Sequence, residues 1–398
     1  MNICITSHDM DPLNMCGIKR VSSILAKEWA KEYNVRFITF SPKEKQIKEI
    51  CGIRQFHFPE PYNILSEKNL EYFISFIKES KTDIILHQHS NIDEFTDLCV
   101  RVKEKTNVKL VTVRHFAITH DNDTIKHSFF IKNRLKKSPL AYLKEFLLFI
   151  RFHLYKRRKN TETDKKRFSF IINNSDKFVL LSNNFVDEIK TILGLNEDIS
   201  TKVCAIYNPL EICNCQIKEK KKRVLWCGRV EYGMKRVDRM LDVWKSIAPR
   251  HPDWELYIMG SGNIEYFNSI VKQHKIQNIV FTGSCNPYEH YKDGSILCMT
   301  SSTEGWGMVL VEAQMFGCIP IAYNSYSSLN EIITDGINGY TIPTFNKGDF
   351  AQRLEWLMEH EAEREHMIVA CQETVKRYDA KIIAQQWIDM FKNLISEC

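Results

Sequence analysis

The sequence predicts an α/β protein of two domains, each built on a parallel sheet. Three observations carry this. Short apolar runs alternate with amphipathic stretches of helical period along most of the chain. Three of those runs, Asn2–Thr6, Arg223–Trp226 and Ile296–Met299, lead through a glycine-bearing turn into a helical pattern. The 398 residues are also enough for two cores, and the polar run Gln216–Lys222 is the natural linker between them.

Composition narrows the class. The chain is 44% apolar and 26% charged, an ordinary soluble balance. Its thirteen cysteines are an odd number without a framework, and Cys213-Asn-Cys215 is too tight for zinc and has no matching second pair. The expectation is reduced, mostly buried thiols in a cytoplasmic protein. The start, M-N-I-C-I-T-S, lacks a signal-peptide pattern, and no run approaches the ~20 apolar residues of a membrane span.

The chain is organised around Ser301–Gly317, S-S-T-E-G-W-G-M-V-L-V-E-A-Q-M-F-G. Strand Ile296–Met299 precedes it, Gly305 and Gly307 supply the turn, and Met308–Phe316 reads as a helix closed by Gly317. Such a turn lets the backbone approach an anion, and the free amides at the helix start point at it. Glu304 before the helix and Glu312 inside it would repel a phosphate unless they bind something else. Sugar hydroxyls donate to carboxylates, so amides beside acids read as a nucleotide-sugar site. A surface Glu and a capping Glu would give the same spacing.

E-G-W-G-M-V-L-V-E-A, G-C-I-P-I-A and N-E-I-I-T-D-G-I-N-G-Y together resemble the donor-binding segment of family 4 glycosyltransferases, retaining enzymes of GT-B fold, of the bacterial surface-polysaccharide type. The resemblance is continuous over Phe281–Pro343 and weaker over most of the chain. It implies two Rossmann-like domains facing a central cleft, with a C-terminal helix crossing back to the first.

In chain order, strands are expected at Asn2–Thr6 and Val35–Phe40. Between them Gly17 opens a helix through Val21, Ile24, Leu25 and Trp29. The dinucleotide pattern G-x-G-x-x-G is absent. The resembled family has two adjacent glycines here, facing donor phosphate and acceptor, and the first of them is Cys16 in this chain. Arg20 reads as a phosphate contact or a solvated helix charge. Strands follow at Gln55–Phe58, Asp83–His87 and Lys109–Val113, with helices at Glu67–Lys81 and Ile92–Lys105. His87 and His89 would share one side of a strand, but no third metal ligand accompanies them. His115 lies just past a strand's C-terminal end, where ligands bind in α/β sheets. By resemblance it matches the family's cleft histidine on the donor sugar, with His120-Asp121 the competing assignment.

Segment Lys126–Phe168 holds fourteen Lys/Arg against three acids, so its +11 exceeds the +6 of the whole chain. Inside it Leu140–Tyr155 is dense in Leu and Phe. Apolar helices with basic flanks suit an anionic membrane surface; a packed helix with charged ends is the alternative, and no nucleic-acid motif accompanies the charge. Strand Lys177–Leu181, a helix to Leu193 and strand Lys202–Ile206 complete the first half.

The second half opens with Arg223–Trp226, then Gly228-Arg229 and, across a turn, Lys235-Arg236 before a helix through Val237, Met240, Leu241 and Trp244. An Arg and a Lys there suit a diphosphate, and cations at a helix start oppose its dipole, which favours a ligand. The family pattern is G-R-x(5)-K-G, so Arg229 and Lys235 match and Arg236 replaces the last glycine. Strand Glu255–Met259 ends in Gly260-Ser261-Gly262, a second close-approach turn. Asn278–Phe281 is the next strand, and Asn286-Pro287-Tyr288 starts a short helix that by resemblance lies near the nucleotide base. Ser327 and Ser328 stand where the family often has glycines. The tail helix Lys381–Ile395 carries a stripe of Ile382, Trp387, Met390, Phe391 and Leu394.

These readings give an acceptor domain over 1–215, a donor domain over 216–378 and a C-terminal helix over 379–398 packing toward the first. The expected reaction moves a sugar from a nucleotide-sugar, a UDP-sugar, to a hydroxyl of a lipid-linked saccharide, with retention. Glu304, Arg229, Lys235 and His115 would carry it. Gly17, Gly228, Gly260, Gly305, Trp306, Gly307, Met308 and Glu312 would bind the donor. No cofactor, metal or nucleic acid is expected, and the basic segment would hold the enzyme at the inner face of a membrane. An epimerase or hydrolase of the same fold, or a catalytically silent membrane-associated partner of a transferase, are the rival classes.

Overall fold

A computed structural model of the protein describes residues 1–10, 17–42, 46–118, 147, 150, 157–195, 199–213 and 219–396. Cys16, His120, Asp121, the 216–218 part of the linker and most of the basic segment 126–168 lie outside the described residues. Two compact units result. Met1–Ile118, Glu162–Glu211 and Tyr378–Cys398 form the first, and Ile212–Arg377 belong to the second.

Unit 1 has eight strands: β1 (Asn2–Ser7), β2 (Asn34–Thr39), β3 (Glu49–Ile50), β4 (Ile53–His57), β5 (Ile84–His87), β6 (Lys109–Arg114), β7 (Lys177–Leu180) and β8 (Val203–Ala205). Its helices are α1 (Ile18–Trp29), α2 (Glu67–Glu79), α3 (Asp93–Glu104), α4 (Arg157–Asn174) and α5 (Asn183–Leu193). The strand order is β3-β4-β2-β1-β5-β6-β7-β8. All pairs are parallel except the β3–β4 hairpin. That hairpin turns through Cys51 (φ 53°) and Gly52 (φ 79°), the left-handed pair that matches strand twist. The inner strands are apolar runs because both faces are covered: every residue of β5 is buried. From β1 the chain first builds outward through β2, then returns to the other side at β5. The β1/β5 boundary is thus the topological switch, where the loops diverge and leave a crevice.

Helix α4 is the described end of the basic segment. Phe168 and Ile171 are buried with Phe178 and Leu180, and Arg167 holds Asp93 at 2.7 Å. This part of the segment packs within unit 1.

Unit 2 has six strands: β9 (Arg223–Cys227), β10 (Glu255–Met259), β11 (Ile279–Gly283), β12 (Ile296–Met299), β13 (Ile319–Tyr323) and β14 (Tyr340–Ile342). Its helices are α6 (Val237–Ile247), α7 (Ile264–Gln273), α8 (Pro287–Tyr291), α9 (Met308–Met315), α10 (Lys347–Glu359) and α11 (Glu361–Lys376). The order β11-β10-β9-β12-β13-β14 is parallel throughout and switches between β9 and β12. The linker reading needs correction at its second half. Lys220 Nζ donates to the carbonyls of Tyr291 (3.1 Å), Lys292 (3.3 Å) and Phe316 (2.6 Å). Burial lowers its pKa from the usual lysine value. Acceptors that terminate a helix and its loop drew this lysine out of the tether.

The last helix, α12 (Ala380–Ser396), belongs to unit 1. Leu210 and the Tyr378–Ala380 stretch exchange backbone hydrogen bonds of 2.7 and 2.9 Å. Trp29 Nε1 donates to Ala384 O at 3.1 Å, and its ring stands edge-on to Trp387 and Phe391. Trp387, Phe391 and Leu394 of the expected stripe are buried and Met390 packs beside them, but Ile382 does not belong to it. Ile382 is 48% exposed, and the buried face runs through Ile383, Ala384, Trp387, Ile388, Phe391 and Leu394.

Candidate functional site

Because β9 and β12 are neighbours, the turns leaving them lie side by side at the C-terminal edge of the unit 2 sheet. The first carries Gly228, Arg229 and Lys235; the second carries Ser301 to Gly307. Lys235 Nζ donates to Glu304 Oε1 at 2.6 Å, and Ser301 Oγ donates to the same oxygen at 2.7 Å. Glu304 is only 9% exposed. The cation expected for a diphosphate and the acid expected for a sugar therefore form one partly buried ion pair. Arg229 differs: its side chain is 72% exposed, with the Glu231 carboxylate 3.8 Å away.

The turn after β9 is fastened from below. Trp226 Nε1 donates to Thr300 Oγ1 at 2.9 Å, and Thr300 Oγ1 donates to Arg236 O at 2.9 Å. Arg236 has φ 54° and ψ 51°, a left-handed conformation that glycine adopts without strain. The arginine at the family's glycine position thus keeps glycine's backbone shape, and its guanidinium holds Asp238 with two hydrogen bonds of 2.9 Å.

Gly260 takes a role the sequence did not disclose. Gly228 N–H donates to Met259 O, and Val230 N–H to Ser261 O. A Cβ on Gly260 (φ 133°) would stand 2.0 Å from Gly228 O. Its close approach is to the neighbouring turn. Gly307 (φ 93°) begins α9, and a Cβ there would meet the Tyr326 hydroxyl at 2.8 Å. Gly305 O accepts from Ser328 Oγ at 3.2 Å, so a serine at a family glycine position buttresses this turn. Trp306 is buried, and Met308 starts α9, whose first amides lack partners inside the helix. Ser302 Oγ and Thr303 Oγ1 are buried without a partner among the described residues.

Glu312 is buried on α9. Burial foremost, with Glu312 among the further causes, pushes the Cys227 thiol up to about 11. The same two influences raise the Tyr291 phenol.

In unit 1, Gly17 (φ 52°) precedes α1, and Val21 N–H donates to its carbonyl at 3.2 Å. His115 follows β6, and its Nε2 meets Gln88 Oε1 at 2.5 Å. His87 is fully buried between Thr6 Oγ1 (2.9 Å) and Thr96 Oγ1 (3.0 Å). His89 Nε2 contacts Ser7 Oγ at 3.2 Å. Burial, then the nearby His89 ring, holds His115 down at about 3. Burial likewise lowers His87 to about 3 and His89 to about 4.

Among the described residues, the three side chains placed to share a metal ion are His251, Glu355 and Glu359. His251 precedes β10, at the opposite edge of the sheet from Glu304. Arg250 already spans Glu355 with hydrogen bonds of 2.6 and 2.8 Å. No helix among the described residues is long and apolar enough to cross a membrane.

Thr300 and Gln88 escaped the sequence reading, and Ser301 figured in it only as the start of the organising stretch. Each lies just past the C-terminal end of a parallel strand, the rule that singled out His115. Their polar, uncharged character gave no other signal.

Residues 15–212 match the family described as Glycosyltransferase Family 4, and residues 214–374 the family Glycosyl transferases group 1. The chain is similar to the amylovoran biosynthesis glycosyltransferase AmsD of Erwinia amylovora, 30% identical over 174 residues. Those residues are 43% of this chain and 48% of AmsD, so the alignment spans less than half of that relative. It is 22% identical over 387 residues, 95% of both chains, to a Campylobacter jejuni alpha-1,4-N-acetyl-D-galactosaminyltransferase named for a diNAcBac-PP-undecaprenol saccharide. HepE from Anabaena, solved with UDP and glucose, has the same fold, with a TM-score of 0.72, 14% identity, and 99% of this chain and 100% of that chain covered. Two parallel-sheet units, matched in turn by these two families over nearly the whole sequence, place the chain among the family 4 glycosyltransferases of GT-B fold.

Proposed function

We propose that the protein transfers a sugar from a UDP-sugar to a hydroxyl of a lipid-linked saccharide, in polysaccharide or glycolipid synthesis, with the anomeric configuration retained and without a metal. The observation that carries this is the Lys235–Glu304 pair at the unit 2 switch point. In the structure the ammonium and the carboxylate satisfy each other. A bound donor separates their duties: diphosphate oxygens take Lys235 and Arg229, and sugar hydroxyls take Glu304. As the bond from the anomeric carbon to the diphosphate oxygen breaks, negative charge grows on the leaving group. Lys235, Arg229 and the first amides of α9 stabilise that charge. The acceptor oxygen bonds to the anomeric carbon on the face the diphosphate leaves, and its proton passes to the departing phosphate. Glu312 holds the ribose.

Several findings support this reading. HepE is known with UDP and glucose bound. The Campylobacter relative's name describes an alpha-linked transfer onto a PP-undecaprenol saccharide. The basic segment 126–168 would hold the enzyme at an anionic membrane, and sedimentation with anionic liposomes at low salt tests that.

Thermal shift with UDP and with GDP, on wild type and Arg229→Ala, tests the donor. Ligand at ~100 times its dissociation constant adds about 2.7 kcal/mol of stability. A UDP shift lost in the variant supports the reading, and a shift with GDP alone changes the donor. No shift with either nucleotide would sink the proposal. Free sugar released without an acceptor would favour a hydrolase, and undiminished transfer in excess EDTA supports metal independence.

A further inference from the structure

We infer that Gln88 reads and positions substrate at the unit 1 switch point: its amide oxygen fixes the tautomer of His115, and its amide nitrogen donates to a sugar hydroxyl. This rests on the transferase reading above. Gln88 follows β5, beside β1, at the crevice where loops diverge. It is 1% exposed. Its Oε1 lies 2.5 Å from His115 Nε2, while its Nε2 has no partner among the described residues. A buried amide donor left unpaired in a native protein marks a place where another group satisfies it.

The surroundings say what that group is. A carboxamide oxygen only accepts, so the proton of the His115 ring sits on Nε2 and Nδ1 is left as an acceptor. Ser7 Oγ spends its hydrogen on Asp9 O at 3.0 Å. It therefore accepts from His89 Nε2, which leaves His89 Nδ1 as a second acceptor. His8 is exposed, with its ring 6.5 Å from that of His89. Burial keeps both inner rings neutral. One amide donor and two imidazole acceptors, none charged, match a pair of sugar hydroxyls, each of which donates and accepts. Of these three groups only the Gln88 amide could donate to a phosphate or carboxylate, and the nearby Lys19 ammonium is already held by Asp9 at 2.6 Å. The ligand class is an uncharged hydroxylated ring.

Two substitutions separate the two duties. Gln88→Glu keeps an oxygen to accept from His115 and removes the N–H donor; Gln88→Leu removes both. Histidine-selective nitrogen-15 labelling reads the His115 tautomer directly, and steady-state transfer reads the donor. In wild type the ring should carry its proton on Nε2 alone; in Gln88→Glu the carboxylate should keep a proton on Nε2 and draw a second onto Nδ1, and in Gln88→Leu both neutral tautomers should appear. Both variants should lose at least about tenfold in kcat/KM, measured at a temperature where each is shown to be folded, since a buried carboxylate or a stranded imidazole N–H also lowers stability. Should Gln88→Leu fail to fold, Gln88→Glu alone still tests the donor. Wild-type kcat/KM in Gln88→Glu overturns hydroxyl donation, and unchanged imidazole nitrogen shifts in Gln88→Leu overturn positioning. Absence of transfer by the wild-type protein from any nucleotide-sugar would overturn the transferase reading and the substrate half together, while the nitrogen shifts still decide the positioning half.

Discussion

Gly260 lies against Gly228 so tightly that a β-carbon on the first would stand 2.0 Å from the carbonyl oxygen of the second. The donor-side turn is thus held in shape by the turn of the next strand. Gly260→Ala must either push that carbonyl away or leave a conformation (φ 133°) that only glycine tolerates. Strain of this kind costs about 1–3 kcal/mol, before the clash is counted. The melting temperature should fall by at least about 4 °C, and the UDP-induced shift should vanish. A variant that melts like wild type and still binds UDP would show that the turns are not coupled.

The Lys235–Glu304 pair predicts an asymmetry. Lys235→Met leaves Glu304 largely buried, with Ser301 as its hydrogen-bond partner among the described residues. Losing one member of such a pair costs on the order of 3 kcal/mol. Lys235→Met with Glu304→Gln removes the stranded charge, so the double variant should be more stable than Lys235→Met alone, while both lack transferase activity. Denaturant melts of the three proteins check this. Equal stability of the single and double variants would contradict an ion pair that matters to the fold.

Acid should weaken unit 1. Burial holds His87 at about 3, His89 at about 4 and His115 at about 3, against 6.5 for a free imidazole. Between those values the unfolded chain binds protons that the folded chain refuses. Stability therefore rises with pH in this window and is lost as pH falls below 6.5. Each ring contributes a slope of up to about 1.4 kcal/mol per pH unit. Melting temperatures should drop steeply from pH 6.5 to 4.5, and His87→Gln should flatten the slope. An unchanged slope would mean His87 is not the neutral, buried ring it is in the structure.

Cysteine chemistry gives a separate check on the donor side. Burial pushes Cys227 up to about 11, whereas Cys51 and Cys285 are exposed. Thiolate is the reactive form. Iodoacetamide at pH 8 should modify Cys51 and Cys285 in the folded protein and spare Cys227. Peptide mass spectrometry showing Cys227 labelled as fast as Cys285 would refute its enclosure.

Much of the architecture was legible because parallel strands buried on both faces are written as apolar runs. β10 and β12 coincide with their expected spans, Glu255–Met259 and Ile296–Met299. The hairpin strand β3 has two residues and β14 has three, too few to show a pattern. Arg229, Lys235, Glu304 and Glu312 stood out as charges after strands or at helix starts. What the sequence did not show were partnerships set by strand order. Lys235 and Glu304 are 69 residues apart and meet because β9 adjoins β12. Gln88 and His115 are 27 apart and meet because β5 adjoins β6. Gly260 read as a ligand turn because a need for glycine looks the same whether a phosphate or a carbonyl is the neighbour.

The return of α12 to unit 1 has a consequence for biosynthesis. Trp29 is made early, yet its partners Ala384, Trp387 and Phe391 leave the ribosome only after all of unit 2. The Ile212–Arg377 part of unit 2, which holds its whole sheet, is one unbroken stretch and can close as it emerges. Unit 1 must wait with an apolar face uncovered. The half synthesised first is therefore the half that matures last, and it is the one most dependent on chaperones during translation.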